Sequence, residues 1–329
     1  MADRYVAVHK AASGPGDARP TAEQIIKDEN LEGKLIDHVI LITGCSAGIG
    51  VETAKAMHLT GATLYLTARN IEKAKKALGG DLVQSDRVNF LEMDQVSLNS
   101  VRSCVADFLY ESPKLDILIC NAGVMCTPGA HTRDGFESQF ATNHLSHFLL
   151  FNLLLPALRK GGTPGRSARV VMLSSLAHRF SEVNLDNVNL EGCYDPDEAY
   201  AQSKTANLWT ANEIERRYGS EGIHAWSVHP GAVFTDLGRH MSEDAKSKIG
   251  GDPYLQKVWK YSNQGAATTV WGATAQALEG KGGKYLEDCQ IIGKWDPESS
   301  MYEPGYAEWA YDEEKAKKLW EKSVEWVGL

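Results

Sequence analysis

Three features typical of secreted, membrane or metal-binding proteins are missing from this 329-residue chain. Its six cysteines are scattered and include no Cys-x-x-Cys pair, so neither a disulfide framework nor a zinc site is indicated. The first 30 residues lack an apolar stretch of signal-peptide length, and the longest apolar run, 148–155, is too short to cross a bilayer. We therefore predict a cytoplasmic protein with reduced thiols, no membrane anchor and no metal site.

The chain also lacks any block of five like charges, and its formal net charge is -9. Diffuse acidity of this kind argues against nucleic acid or an anionic membrane surface as a partner, and it favours solubility. Hydrophobic residues make up 43% of the chain, which is enough to bury a substantial core. The composition therefore predicts an ordinary acidic globular protein.

Hydrophobic periodicity indicates the fold. From residue 35 onward, short apolar and β-branched runs alternate with segments of helical period, as is typical of parallel strands joined by crossover helices. We predict an α/β fold: a Rossmann-like, doubly wound parallel sheet of about seven strands with helices on both faces. The predicted strands are 38–43, 62–67, 87–92, 115–120, 168–173, 223–228 and 283–287, and the helical segments are 48–60, 70–78, 97–110, 134–159, 197–218 and 254–279.

Domain boundaries follow from shifts in composition. Residues 1–33 are rich in Gly, Pro and charge and predict a surface arm with a short helix near 21–29, where Thr21 would act as the N-cap. Residues 34–290 form the predicted catalytic domain. Residues 291–329 form an extension whose last part has Leu, Trp and Val at helical spacing, which predicts an amphipathic helix packed on the same domain.

A glycine-rich turn follows the first predicted strand, in Thr43-Gly-Cys-Ser-Ala-Gly-Ile-Gly50. Glycines there let the backbone turn tightly and approach a pyrophosphate, whose charge is favoured at a helix N-terminus. The spacing differs from the Gly-x-Gly-x-x-Gly fingerprint of many dinucleotide-binding folds. A tight turn without a ligand is the alternative interpretation.

The second predicted strand is followed by Arg69 rather than by an acid. A carboxylate at this position would bind the ribose 2′-hydroxyl of NAD, whereas an arginine accommodates the 2′-phosphate of NADP. We therefore predict NADP(H) as the favoured cofactor, with NAD(H) less favoured. The alternative is that Arg69 is an ordinary surface cation. The glycine loop has Ala47 where a second basic residue could have supported the phosphate.

Tyr200 and Lys204 are four residues apart in a helical segment, so both side chains lie on one face. An ammonium at ~4 Å could lower the pKa of a phenol by ~3 units and create an acid/base catalyst. An isolated pair of this kind is more often a solvated helix pair. However, Asn121-Ala-Gly, Ser174-Ser175 and His229-Pro-Gly each follow a predicted strand, at the sheet edge where ligands bind.

Together these ordered motifs resemble the short-chain dehydrogenase/reductase superfamily. The matching residues are Thr43-Gly-x-x-x-Gly-Ile-Gly50, Asp94, Asn121-Ala-Gly123, Asn143, Ser175, Tyr200-x-x-x-Lys204 and Pro230-Gly231. The resemblance covers about residues 35–290. The 24 residues from Ser175 to Tyr200, about twice the family's usual spacing, are similar to those of the retinol dehydrogenase and WW-domain oxidoreductase branch.

The resemblance implies a role for each matching residue. Tyr200 would be the general acid/base and Ser175 would orient the substrate oxygen. Lys204 would hold the nicotinamide ribose and lower the pKa of Tyr200, and Asn143 would anchor a water in the proton relay. The residues expected to contact the cofactor are Thr43, Gly44, Ser46, Gly48, Ile49, Gly50, Arg69, Asp94, Asn121, Ala122, Gly123, Tyr200, Lys204, Pro230, Gly231, Val233 and Thr235.

The substrate pocket is expected between the 176–199 loop and the segment from 233 to about 261. Its aromatic character favours a bulky, largely apolar carbonyl or alcohol over a small hydroxy acid. The candidate lining residues are Phe180, Tyr194, Phe234, Met241, Tyr254 and Trp259. The resemblance also implies a homodimer or homotetramer formed through the helices that carry Asn143 and Tyr200, unless the terminal extensions block that surface.

The residues alone also allow other functions. A nucleotide-binding regulatory protein on the same fold would be expected to lack part of the Ser, Tyr, Lys and Asn set, which is complete here; an epimerase or dehydratase could use the same site. Ser175 with His178 lacks the Gly-x-Ser-x-Gly elbow of a hydrolase. His144 and His147 are interpreted as helix-interface residues rather than metal ligands, and Cys45 as a small residue in a tight loop rather than a redox sensor.

Overall fold

The computed structural model describes residues 3–163 and 165–329. Its centre is a sheet of eight strands in the order β3-β2-β1-β4-β5-β6-β7-β8. The first seven strands pair in parallel, and only the last pair, β7 with β8, is antiparallel. The strands are β1 Val39–Thr43, β2 Thr63–Ala68, β3 Val88–Glu92, β4 Ile117–Cys120, β5 Ala168–Leu173, β6 Ile223–His229, β7 Lys284–Glu287 and β8 Gln290–Ile291.

Helices cover both faces of this sheet, which confirms the predicted doubly wound α/β fold. The helices are α1 Val6–Lys10, α2 Ala22–Asp28, α3 Gly48–His58, α4 Ile71–Leu78, α5 Gly80–Val83, α6 Leu98–Glu111, α7 Ser138–Phe140, α8 Ser146–Leu158, α9 Pro196–Tyr218, α10 Glu243–Gly251, α11 Pro253–Val258, α12 Ser262–Gly265, α13 Ala267–Thr274 and α14 Glu313–Val327. A π-helix, Ala141–Leu145, joins α7 to α8. Short 3-10 helices lie at Leu176–Arg179, Gly219–Glu221, Asp236–His240, Gln276–Leu278 and Glu308–Tyr311.

The central strands are apolar because both of their faces are buried. All five residues of β1 and all six of β5 are buried. One apolar core contains side chains of α6, α8, α9 and α14, and the other contains side chains of α2, α3 and α13. The strand order reverses between β1 and β4, so the loops after these two strands diverge and leave a crevice at their carboxyl ends.

Two predicted helical segments differ from the structure. The segment 254–279 is divided into α11, α12 and α13, because the backbone is extended at Trp259 and Tyr261 and Lys260 pairs with the loop after β6. The segment 134–159 begins only at Ser138 and contains the π-helix. A continuous helical period does not reveal such a tertiary pairing.

The terminal segments pack against the body of the protein. Thr21 caps α2, since its hydroxyl accepts a hydrogen bond from the amide of Gln24 at 3.2 Å, as the sequence predicts. Helix α14 lies mainly on α9 and also contacts α8. The described residues include no helix that is long and apolar enough to span a membrane. The division into 1–33, 34–290 and 291–329 stays a prediction.

The position of α14 bears on the expected association of subunits. The Trp320 ring meets Phe148 of α8 edge-on at a centroid distance of 4.8 Å and also contacts Phe151. It stacks under Arg217 of α9 as well. Helix α14 therefore covers part of the surface of α8 and α9, as the sequence analysis allowed for the terminal extensions, and the homodimer or homotetramer stays a prediction.

Candidate active site

A groove of about 1590 Å³, open to solvent, lies at the carboxyl edge of the sheet. It is formed by the segments that follow β1, β2, β3, β4, β5 and β6, together with α9. Fourteen of the residues expected to contact cofactor line it: Gly44, Ser46, Gly48, Ile49, Gly50, Arg69, Asp94, Asn121, Ala122, Gly123, Tyr200, Lys204, Pro230 and Thr235. The topology therefore brings residues that are far apart in sequence to one rim.

The remaining predicted residues lie around this groove rather than in its wall. Thr43 and Asn143 are buried beneath it. Gly231 lines a smaller cavity behind the rim, and Val233 pairs with Lys260. Ser174 lines the groove, whereas the predicted catalytic serine, Ser175, is placed by its contact with Tyr200.

The turn after β1 requires glycine at two positions. A methyl group on Gly50 would lie 2.3 Å from the carbonyl oxygen of Gly44 and 2.5 Å from the Asn121 side-chain nitrogen. Gly44 has a φ of +75°, and a methyl group there would lie 2.7 Å from Cβ of Ala122. The turn therefore packs against the loop after β4 and leads into the N-terminus of α3, where an anionic group is favoured.

Thr43 supports this turn from below. Its Oγ1 accepts hydrogen bonds from the amides of Asn121 at 2.9 Å and Ala122 at 3.0 Å, and it lies 2.9 Å from Nε2 of His147. The side-chain amide of Asn121 donates in return to the Thr43 carbonyl at 2.8 Å. Thr43 is fully buried and supports the rim of the groove, and its contact with a cofactor stays a prediction.

Tyr200 and Lys204 lie on consecutive turns of α9 and point into the groove. Asp195 caps this helix by accepting hydrogen bonds from the amides of Asp197 and Glu198, both at 2.9 Å, and Pro196 occupies its first turn. Nζ of Lys204 lies 5.4 Å from the centroid of the Tyr200 ring and donates to the Leu173 carbonyl at 3.2 Å.

Burial acts on the pKa values of both members of this pair. It raises the pKa of Tyr200 above its ordinary value of 10, although a hydrogen bond to the Ser175 side chain acts in the opposite direction. Burial also lowers the pKa of Lys204 to about 8. Burial therefore favours the neutral phenol, and the lowering of the Tyr200 pKa by the Lys204 ammonium stays a prediction.

Asn143 lies in the π-helix, where its side chain is fixed by three contacts. Its Oδ1 accepts from the amide of Val124 at 2.8 Å, and its Nδ2 donates to the Val124 carbonyl and to Oγ of Ser203, both at 2.9 Å. Cβ added at Gly123 would lie 3.1 Å from this Oδ1 and 3.4 Å from Nζ of Lys204. Asn143 thus connects the loop after β4 to α9.

His147 was not expected to belong to the site, and sequence reasoning interpreted it only as an interface residue. Its Nδ1 lies 2.9 Å from the Asn143 carbonyl and must carry the proton, since a carbonyl only accepts. Its Nε2 is then an acceptor, 2.9 Å from Oγ1 of Thr43 and 2.9 Å from Nε2 of Gln95, a further lining residue. This ring therefore links the π-helix to the support of the glycine turn.

Two basic residues that sequence reasoning missed also line the groove, as Arg69 does. Lys73 lies in the first part of α4, directly after β2, and Arg239 lies in the 3-10 helix after β6. Arg69 and Lys73 are both exposed. Lys73 could have been found from the sequence, because it lies in the helix that follows the second strand. The place of Arg239 in the groove depends on the tertiary fold and has no such signal.

The expected substrate-lining residues do not form one wall. Phe234 stacks on Trp259 with ring centroids 4.0 Å apart, and Phe234 and Phe180 are about half exposed. The Tyr194 hydroxyl instead donates to the Thr127 carbonyl at 2.6 Å. Tyr254 lines the smaller cavity behind Gly231, and Met241 packs near Gly238.

Three residues considered for other functions, His144, His178 and Cys45, are fully buried. Nε2 of His144 lies 2.9 Å from Oγ of Ser323 on α14, as expected for a helix-interface residue. Nδ1 of His178 lies 2.6 Å from the Ser175 carbonyl, and its Nε2 accepts from the amide of Ala307 at 3.0 Å. Burial raises the pKa of Cys45, which disfavours a reactive thiolate. Within 3–163 and 165–329 no cluster of three candidate metal ligands occurs.

Comparison with known proteins shows which family the chain is similar to. The family model described as short chain dehydrogenase matches residues 38–246. A short-chain dehydrogenase/reductase named prx1 from Penicillium roqueforti is 46% identical over 326 residues, which are 99% of this chain and 95% of that protein. Human polyprenol dehydrogenase is 37% identical over 89% of this chain and 86% of its own length.

Two further relatives extend the comparison. Mouse retinol dehydrogenase 14 is 34% identical over 90% of this chain and 88% of its own length. A crystal structure of an uncharacterized protein from Mycobacterium paratuberculosis superimposes with a TM-score of 0.66 and 30% identity, covering 88% of this chain and 93% of that one.

Proposed function

The chain belongs to the short-chain dehydrogenase/reductase family, in a retinol-dehydrogenase-like branch, and from that premise we propose that it is an NADP(H)-dependent oxidoreductase. It would reduce a ketone or aldehyde of a bulky, largely apolar substrate, or oxidise the corresponding alcohol. One observation carries the proposal: a single groove holds a glycine turn at a helix N-terminus and the buried Tyr200 and Lys204.

The residues present fit a dinucleotide. Gly44 and Gly50 let the turn after β1 pack closely against itself and the loop after β4, since a Cβ at either position would collide with protein atoms there. The turn leads into the N-terminus of α3, which would favour a pyrophosphate. The nicotinamide would supply or accept hydride at the substrate carbon. Pro230 and Thr235 would hold its ring from the loop after β6, and Lys204 would hold the adjoining ribose with its ammonium group.

The protein's own part in the reaction is to move a proton. Because burial keeps the Tyr200 phenol neutral at pH 7, its hydroxyl is ready to donate to a carbonyl oxygen in the reductive direction. The Ser175 hydroxyl, which lies within hydrogen-bonding reach of Tyr200, would donate to the same oxygen as its charge develops. Oxidation of an alcohol would require the phenolate and should therefore be favoured at alkaline pH.

The preference for NADP(H) is supported by three cations that line the groove, Arg69, Lys73 and Arg239. We predict that Lys73→Ser weakens NADPH binding by about 10-fold to 100-fold, the loss expected for a charged hydrogen bond, and leaves NADH binding unchanged. Lys76→Ser, an exposed lysine on the same helix, is the matched control and should change neither affinity. Equal loss for both cofactors would refute the phosphate role.

The apolar character of the substrate is supported by aromatic side chains on the two segments predicted to border the substrate pocket. The stacked Phe234 and Trp259, with Phe180, expose apolar surface that a small hydroxy acid would leave uncovered. The human relative is named for polyprenol and the mouse relative for retinol. The substrate of this chain is therefore proposed to be a long-chain or cyclic apolar alcohol or carbonyl compound.

The test is turnover with a panel of carbonyl compounds that differ in size and polarity. Oxidation of NADPH should be followed by absorbance, with NADH in parallel, and catalytic efficiency should rise with the apolar surface of the compound. Binding of NADPH without turnover of any compound would instead support a regulatory protein that keeps the fold. Faster turnover of small hydroxy acids would refute the proposed substrate class.

A further inference from the structure

The N-terminal arm is bound to the break between α11 and α12. The buried guanidinium of Arg19 donates to the carbonyls of Val258 at 2.7 Å and Trp259 at 2.6 Å. The side chain of Gln264, in α12, accepts from the amide of Gly16 at 2.8 Å. The arm therefore fixes the backbone on both sides of Lys260.

Lys260 in turn binds the loop that follows β6. Its amide donates to the Ala232 carbonyl at 2.8 Å, and its carbonyl accepts from the amide of Phe234. Its Nζ donates to the Pro230 carbonyl at 3.3 Å. Pro230 lines the large groove, so this lysine is in direct contact with the backbone of the site while its own side chain is 3% exposed.

The Lys260 side chain passes close to this loop. A Cβ added at Gly231 would lie 2.7 Å from Nζ of Lys260 and 3.0 Å from its Cε, and Gly231 has a φ of +95°. The glycine therefore allows the lysine side chain to pass directly beneath the rim. A shift of the ammonium would break or strain its hydrogen bond to the Pro230 carbonyl.

The ammonium is held from its other side by Asp288. Its Nζ lies 2.7 Å from Oδ1 of Asp288, and the same oxygen lies 3.0 Å from Nδ1 of His9 in the arm. Asp288 and Cys289 form the two-residue turn between β7 and β8, with φ values of +53° and +54°. Such values are unfavourable for residues other than glycine, asparagine and aspartate, so Cys289 in particular is held there by its surroundings.

The carboxylate at this position is charged. Burial alone would raise the pKa of Asp288, but the Lys260 ammonium and the His9 contact outweigh burial and hold the pKa well below its usual range. Lys260 and Asp288 therefore form a largely buried ion pair, and its surroundings restrict the geometry of the two side chains.

We propose that His9, Asp288 and Lys260 are positioning residues for the reaction: they form a chain of contacts through which the N-terminal arm sets the position of the Pro230–Val233 backbone at the nicotinamide end of the groove. All three lie outside residues 38–246, the part of the chain that the general family model matches. The inference rests on the proposed function, because it assigns the nicotinamide to this loop.

The test compares binding of the whole cofactor with binding of its adenosine half. Lys260→Met should raise the dissociation constant for NADPH by about 10-fold or more and lower kcat, because the loop at the nicotinamide end loses its support. The dissociation constant for adenosine 2′,5′-bisphosphate should change less than twofold, since that fragment does not reach the loop. Lys317→Met, an exposed lysine on α14, is the matched control and should alter neither constant.

A second, milder variant distinguishes the positioning role from a folding defect caused by Lys260→Met. His9→Gln removes only the contact from the arm to Asp288, and it should give the same split with a smaller effect, about threefold on the NADPH constant. Unchanged NADPH binding in both variants, or equal weakening of NADPH and of the fragment, would overturn the positioning role. Failure of the wild type to bind either NADPH or NADH would instead refute the proposed function.

Discussion

Lowering the pH from 7 to 5 is expected to remove the stabilisation that His144, His147 and His178 contribute as buried, neutral rings. Burial lowers the pKa of His144 to about 3 and the pKa values of His147 and His178 to about 4. In His147 and in His178, Nδ1 donates a hydrogen bond and Nε2 accepts one. A second proton would therefore turn Nε2 into a donor, which faces Thr43 in the case of His147 and the amide of Ala307 in the case of His178.

The sign and size of the effect follow from linkage. Each folded-state pKa lies below the unfolded value of about 6.5, so the contribution of the neutral ring is complete above that pH and declines as the pH falls toward the folded value. Between pH 7 and pH 5 the loss is about 2 kcal/mol for each ring and about 5 to 6 kcal/mol for the three. That is comparable to the whole stability of many domains, about 5 to 15 kcal/mol.

Urea unfolding at the two pH values measures this loss. His144→Gln should lower stability at pH 7 and reduce the loss between pH 7 and pH 5 by about 2 kcal/mol, since one titrating ring is removed. His131→Gln is the control, because His131 is largely exposed and paired with Glu191 at the surface, and it should leave the loss unchanged. A loss in His144→Gln as large as that of the wild type would refute the reasoning.

Two further predictions concern packing. Gly50→Ala should weaken cofactor binding by at least about 100-fold, measured by fluorescence titration, because its methyl group would lie 2.3 Å from the Gly44 carbonyl oxygen; Gly250→Ala, which meets only open space, should leave the affinity unchanged. Trp320→Ala should cost about 3 to 5 kcal/mol in urea unfolding and expose apolar surface that promotes association in gel filtration, whereas the exposed Glu321→Ala should cost less than about 0.5 kcal/mol.

The sheet could be predicted from the sequence because strands buried on both faces are read directly as short apolar runs. The predicted strands for β1 to β7 differ from the observed bounds by at most two residues at either end. The two-residue strand β8 carries too little pattern to predict. The break at Lys260 was missed for another reason: it is caused by pairing with Ala232, a residue 28 positions earlier, and local periodicity carries no trace of such a contact.

The site was predictable to the extent that its residues follow strands. Asn121 and Pro230 come directly after β4 and β6, so topology alone places them on one rim. The role of His147 was not predictable, because its tautomer depends on partners on three separate segments. The burial that raises the pKa of Tyr200 was not predictable either, since helical spacing reveals the neighbouring Lys204 but not the degree of burial.

The central claim is that this chain transfers hydride between a nicotinamide and a carbonyl carbon while Tyr200 supplies the proton. The most direct measurement is single-turnover transfer of deuterium from 4-deuterated NADPH to an apolar ketone, read by mass spectrometry of the alcohol. We predict deuterium at the carbinol carbon with the wild type, and in Tyr200→Phe unchanged NADPH binding with a transfer rate lower by about 10²-fold to 10⁴-fold. No deuterium in the wild-type product, or a Tyr200→Phe rate within about tenfold of the wild type, would contradict the account.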